Sequence, residues 1–422
     1  MRKWTLALAW MAVFSIACTA WAAESVTLRW FVAPNASFNE GQRAIIEAYE
    51  RRNPNVKVEL VIAPSGSYAD QILTQVVSGQ LPDLVYNVHQ QTASLLEAGH
   101  FVDLTELAAR DPEMPALIES LIPGAWEFTK HGEQRFFLPM TVAIRIGYFN
   151  KDHFLEAGLP FPTDDWTWDE FLDYARELTK RDADGKVLRW GMGNIPGDEI
   201  WLMHWVYQAG GRYFDNQYMP TESWVTRPNT LEAMRFVHAL RWEHNVSPRP
   251  GDPFVGTAGF VNNAVSMWIE NPARIANFAP VENLSWDIRR LPQYRERASS
   301  STYDGIFINS RTPHLEEAWD FVKFTVTPEA QALFAVYAHV PISREVALSE
   351  EWLSYPVPDL NKVAFFYEAA VAYPRVMTPK YEQDYQRIFR EEWNKAFNLN
   401  QVPVETAAAA IHERLTQLLA GR

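Results

Sequence analysis

Residues 26–88, VTLRWFVAPNASFNEGQRAIIEAYERRNPNVKVELVIAPSGSYADQILTQVVSGQLPDLVYNV, decide the fold. Val26 to Val32 alternates and is rich in β-formers, which predicts a strand. Phe38 to Arg52 carries Ala44, Ile45, Ala48 and Tyr49 at helical spacing until Asn53-Pro54 stops it. Val56 to Ile62 reads as a second strand, Tyr68 to Ser78 as an amphipathic helix ended by Gly79, and Leu84 to Val88 as a third strand. The order βαβαβ implies an open, mostly parallel sheet with helices on both faces. In such sheets a ligand sits outside the carboxyl ends of the strands.

The same kind of pattern recurs downstream without a sequence repeat. Ile144 to Phe149, Val265 to Ile269 and Ile306 to Ile308 read as strands. Trp168 to Lys180, Leu202 to Ala209, Asn229 to Glu243, Leu315 to Phe324 and Pro328 to Tyr337 read as helices, and Tyr381 to Leu419 as a helical tail broken near Gln401 to Pro403. A chain of 422 residues exceeds the ~250–300 at which a single core stops growing, so two domains are expected. There is no low-complexity linker, so crossings between domains fall to strands or short loops.

At the other end of the chain, Arg2 and Lys3 precede an apolar run from Trp4 to Cys18 that closes on Ala20-Trp21-Ala22. This reads as an export signal (residues 1–22) cleaved before Ala23. Lipidation at Cys18 is the weaker alternative, because Ser15 stands where a lipobox wants a bulky aliphatic residue. Cleavage removes the single cysteine and moves the formal charge from −14 to −16 by loss of Arg2 and Lys3. Nucleic acid and anionic membranes are poor partners for such a surface. The tryptophans left after residue 22 offer flat faces for core packing or for stacking on sugar rings.

Four local phrases, in this order, resemble the bacterial extracellular solute-binding proteins of ABC importers, in the sugar-binding branch that includes maltose-binding protein. They are Leu81-Pro82-Asp83-Leu84 before a strand; Leu138-Pro139 followed by Tyr148-Phe149-Asn150-Lys151-Asp152-His153-Phe154; Asp165-Trp166-Thr167-Trp168-Asp169-Glu170-Phe171; and Glu317-Ala318-Trp319-Asp320-Phe321-Val322-Lys323-Phe324 with Pro328-Glu329-Ala330-Gln331. The chain departs from the family at Gly147, which interrupts an apolar run, and at Glu270-Asn271-Pro272, where relatives often have Gly-Pro-Trp.

The resemblance implies an α/β fold of two discontinuous lobes joined by a hinge, with the ligand cleft between them. Its crossings are expected near Pro139 to Ala143, Arg290 to Pro292 and Val340 to Ile342. Residues 23–140 with 292–340 then form lobe 1, and 141–291 with 341–422 form lobe 2. It also implies a monomer that captures a carbohydrate or polyol, closes on it, and presents it to the membrane permease subunits of an ABC transporter.

A sugar site needs aromatic faces and planar polar groups that grip hydroxyls in pairs. By resemblance the first lobe touches its ligand through Asn87, His89 and Gln90, with a surface loop as the plain alternative. Glu199, Trp201 and Trp205 precede Gly210-Gly211 in the segment that supplies second-lobe contacts, although aromatics four apart on a helix are often core. Glu270 and Asn271 follow a buried strand, and Asp304 precedes one. Arg344, at the expected third crossing, has a fork suited to a hydroxyl pair or to a surface ion pair. Trp30 and Asn35, at the end of the first strand, complete the set.

No His-x-x-x-His, Cys/His cluster, P-loop, Gly-x-Ser-x-Gly or dinucleotide fingerprint occurs, so neither a metal nor another cofactor is expected and the chain reads as a non-enzyme. A secreted glycoside hydrolase is the competing reading, since it too is acidic, exported and rich in tryptophan, and needs only two suitably spaced carboxyls. A sugar sensor sharing fold and ligand is the third. The negative charge and the acids Glu199 and Glu270 argue against anionic ligands.

Overall fold

A computed structural model describes residues 25–88, 94–193, 195–217, 219–253, 256–337, 340–374 and 382–421. The opening βαβαβ is present: strands β1 (Val26–Val32), β2 (Val56–Ile62) and β3 (Leu84–Val88) are parallel neighbours in the order β3-β1-β2, and the helices Ala36–Arg52 and Tyr68–Ser78 connect them. Their boundaries follow local chemistry. Asn35 caps the first helix by accepting from the Phe38 N–H, Ser67 caps the second, and Gly79 ends the second in the left-handed conformation that glycine adopts without strain.

Strands β4 (Phe137–Ile144) and β5 (Ile146–Asn150) lie in different sheets and are separated by one residue, Arg145. The apolar run predicted as a single strand from Ile144 is therefore a passage between lobes. The second sheet is completed by β6 (Val187–Met192), β7 (Val265–Glu270) and β8 (Trp286–Arg289), in the order β8-β5-β7-β6 with Lys180–Arg181 at the edge. The chain returns through 290–298 to β9 (Ser299–Ile308), which pairs antiparallel with β3 on one side and with β4 on the other. The short strand β10 (Ala372–Pro374) extends the first sheet beside the start of β9.

At the expected third crossing near Val340 to Ile342 the chain is still bridged to the first sheet. Pro341 bridges Thr141 and Ser343 bridges Leu121, and the helices Glu350–Ser354 and Val363–Ala369 bury Trp352, Ala364, Phe365 and Ala369 in a core that runs on from the first sheet to Tyr148, Trp286 and Ile288 of the second. Only beyond β10 do the helices Glu382–Phe397 and Val404–Ala420 join the second core, through Tyr385, Phe389, Trp393 and Ile411. The helix Val363–Ala369 packs against β4 and β9 of the first sheet and equally against β5 of the second, so this stretch buries its apolar side chains where the two sheets meet.

The back of the hinge is polar. Arg290 donates to Glu368 at 2.9 Å, and the Asn361 amide group donates to Asp164 at 3.1 Å while its backbone N–H donates to Asp287. Arg212 lies over the rings of Tyr207 and Tyr373, which meet edge to face. No helix among the described residues is long and apolar enough to cross a membrane.

Candidate functional site

A cavity of about 280 Å³ opens at the carboxyl ends of β1 and β3. Its aromatic wall is Phe38, Tyr68 and Tyr86, and its polar groups are Asn35, Gln42, Asn87 and Asp304. The loop Ala33-Pro34-Asn35 is held by Asn39, whose amide donates to the Ala33 carbonyl and to Gln42 Oε1. The Tyr68 hydroxyl lies within bonding distance of the carbonyls of both Phe31 and Tyr86, tying the ends of β1 and β3 together. Asn87 is buried, directly opposite Gly305 on β9, and Asp304 stands opposite Val88.

Gly305 is required where it is. The register between β9 and β4 shifts between Asp304 and Gly305, and a Cβ on Gly305 would come within 2.2 Å of the Phe137 ring and 2.4 Å of the Leu138 carbonyl oxygen. The bulge brings Asp304 to the cavity. Asp304 Oδ2 accepts from the Tyr86 hydroxyl at 3.2 Å, while Oδ1 is buried and meets no donor among the described residues. Burial pushes its carboxyl up to about 6, with the Tyr86 hydrogen bond opposing. An acceptor half satisfied by the protein and facing an aromatic wall is suited to a ligand hydroxyl.

The second lobe contributes a cluster at the hinge. Arg145 is buried, and its guanidinium lies 3.9 Å over the ring of Trp201, which is half-buried in the first turn of the helix Glu199–Gln208. The Arg145 guanidinium is also 3.8 Å from Glu270, whose other oxygen is 3.4 Å from Arg274. Glu270 ends β7 opposite Ile146, and its carboxylate accepts from the Asn271 N–H at 2.8 Å. Asn271 is a turn former: its side chain accepts from the Ala273 N–H and its carbonyl from the Tyr148 hydroxyl. Glu199 is buried at the helix start, where its carbonyl accepts from the Tyr213 hydroxyl.

The two halves are linked along β9. Ser301 pairs with Ile144, the residue before Arg145, and Asp304 lies three residues further, about 10 Å at the rise of a strand. Asn35, Asn87 and Asp304 therefore line one cavity, and Trp201 and Glu270 meet at Arg145. His89 and Gln90 lie outside the described residues.

Three of the expected residues are placed elsewhere. Trp30 is fully buried on the inward face of β1, edge-on to Phe321 at 5.4 Å, and Trp205 is fully buried among Trp168, Phe171 and Phe236. Both pack the core because strand alternation and helix rotation turn them inward. Arg344 is exposed at the start of the short helix Arg344–Ala347 and does not line the cavity.

Sequence reasoning missed Arg145, Tyr86 and His204. His204 follows Trp201 by three residues on the same helix and is fully buried, with neither ring nitrogen bonded among the described residues. Burial, then the nearby Arg145 charge, holds its pKa well below the ordinary value, so the ring is neutral. The i, i+3 spacing from Trp201 was the available signal.

Residues 35–332 match the family described as bacterial extracellular solute-binding protein. A multiple sugar-binding protein of Streptococcus mutans is 22% identical over 369 residues, covering 81% of this chain and 80% of that one. Among solved structures, the sugar-binding protein MalE of Xanthomonas citri superposes with a TM-score of 0.80 at 17% identity, over 94% of this chain and 98% of the other. An ABC substrate-binding protein of Listeria monocytogenes in complex with cycloalternan superposes at 0.79 and 20% identity, over 94% of this chain and all of the other. These likenesses share the two-lobed fold described above.

Proposed function

This chain belongs to the bacterial extracellular solute-binding proteins, and from that premise we propose that it captures a neutral carbohydrate or polyol between its lobes and delivers it unchanged to the permease of an ABC importer. The observation that carries the proposal is the cavity at the ends of β1 and β3. There a half-satisfied carboxylate, Asp304, and the amide of Asn87 stand against the rings of Phe38, Tyr68 and Tyr86. That combination grips ring hydroxyls in pairs and covers the apolar side of a sugar. The sugar-binding relative from Streptococcus mutans supports the ligand class.

Mechanism is by differential affinity. The ligand bonds first to one lobe, and closure about Arg145 and the 290–298 strand connection brings Trp201, Glu199 and Glu270 onto its other face. Only contacts made in the closed form shift the equilibrium toward it. Glu270 between Arg145 and Arg274 is charge-compensated, which favours an uncharged ligand. No covalent step is part of this mechanism.

A thermal-shift screen of residues 23–422 against mono-, di- and oligosaccharides, polyols and amino sugars tests it. Ligand held only by the native state at 100 times its Kd adds about 2.7 kcal/mol, enough to raise the midpoint clearly. A selective shift supports the receptor. No shift with any member of the panel refutes a carbohydrate ligand.

A further inference from the structure

Arg145 occupies an unusual place: it is the single residue between a strand of the first sheet and a strand of the second. Its backbone is tied to the other connection, since its N–H donates to the Ser300 carbonyl at 3.1 Å and its carbonyl accepts from the Ser299 hydroxyl at 3.2 Å. Its side chain reaches the opposite way, to the ring of Trp201 at 3.9 Å and to Glu270 at 3.8 Å.

From this we infer that Arg145 is a positioning residue that couples the hinge angle to the aromatic ligand platform of the second lobe, Trp201. Any rotation of the lobes changes the backbone dihedrals around Arg145, and the long side chain amplifies that change at its guanidinium. The planar cation is attracted to the electron-rich indole face, so stacking holds the ring in one orientation. Arg145 is buried and Trp201 is partly exposed, so the guanidinium covers one face of a ring that keeps some surface open. Glu270 fixes the lateral position of the guanidinium, and Glu270 is itself registered to the hinge through its pairing with Ile146. Hinge angle, platform orientation and the acidic clamp therefore change together. The ligand-binding part of this inference rests on the carbohydrate-receptor reading; the coupling of Arg145 to Trp201 does not.

The test combines two readouts on the full chain after residue 22. Protein labelled with 5-fluorotryptophan gives a fluorine resonance for Trp201, assigned by its loss in W201F. In the ligand-free protein R145M shifts that resonance and leaves that of core Trp205 in place, while R145K, which keeps the charge without the planar fork, shifts it less. Calorimetry then uses maltotriose, or the first carbohydrate of the screen that binds. R145M weakens binding about tenfold, because a ring no longer held in the orientation the ligand meets must be ordered on binding. R145K recovers part of it, and R145M/W201F binds no more weakly than W201F alone. An unmoved Trp201 resonance in R145M, or additive losses in the double variant, overturns the coupling. If R145M does not fold, R145K decides, and a wild-type resonance with wild-type affinity overturns it. If no carbohydrate binds the wild type, the receptor reading fails and the fluorine resonance alone decides the role of Arg145.

Discussion

The Tyr86 hydroxyl stands 3.2 Å from Oδ2 of Asp304, joining β3 to β9 across the mouth of the cavity and leaving Oδ1 to face inward. Burial holds the Asp304 carboxyl near 6. If the ionised form accepts ligand hydroxyls, affinity is constant above about pH 6 and falls as pH drops through that value. Asp304→Asn lowers affinity at pH 7.5 by about tenfold or more, the worth of a hydrogen bond to a charged group, and flattens the profile. Calorimetric titrations from pH 5 to 8 check this, and an unchanged profile in the variant excludes Asp304 from the site.

Glu368 gives a prediction about stability. It is buried at the back of the hinge against Arg290, and burial outweighs that pairing to push its carboxyl up to about 7. A raised carboxyl binds its proton more tightly when folded, so its contribution is fully present below the ordinary value near 4.5 and is lost as pH rises through 7. The thermal midpoint of Glu368→Gln relative to wild type therefore becomes more favourable between pH 4.5 and pH 8. A difference that stays constant over that range contradicts the shift.

Trp201 and Trp205 separate platform from core. Trp205→Ala empties a space among Trp168, Phe171 and Phe236 and costs about 3–5 kcal/mol, read as a lowered denaturation midpoint. Trp201→Ala, at a half-exposed ring, costs far less stability and weakens ligand binding. Equal destabilisation by the two removes Trp201 from the proposed platform.

Gly305→Ala tests the bulge. The new methyl meets the Phe137 ring and the Leu138 carbonyl, so the variant loses about 1–3 kcal/mol by overpacking. Because the strain sits beside Asp304, affinity falls with it. Wild-type denaturation by urea would show that the strands separate freely there.

The opening βαβαβ was legible because turn and cap residues punctuate it: Asn35, Asn53-Pro54, Ser67 and Gly79 bound elements that the alternation and helical spacing define. The run from Phe137 to Asn150 carries Pro139 and Gly147, yet neither marks the break; an arginine between isoleucines reads as part of one strand, and only tertiary structure parts it into two. The burial of Trp30 and Trp205 was not legible for a related reason. A tryptophan suits a core as well as a sugar, and its direction depends on what packs behind it. Arg344 was singled out from its place beside Val340-Pro341-Ile342, and nothing in the sequence shows that Pro341 bridges back to Thr141 and leaves Arg344 on an exposed helix start. Asn87 and Asp304 were reached through the family resemblance, and the structure places both on the lining of one cavity. Tyr86, in the middle of an apolar strand, gave no such sign.

The most direct test of the central claim is calorimetric titration of residues 23–422 with the carbohydrate selected by the thermal screen, followed by chemical analysis of the ligand recovered from the protein. Saturable binding of one ligand per chain is expected, with the ligand recovered unchanged after prolonged incubation. Cleaved or rearranged sugar in the recovered material would contradict it and establish a hydrolase.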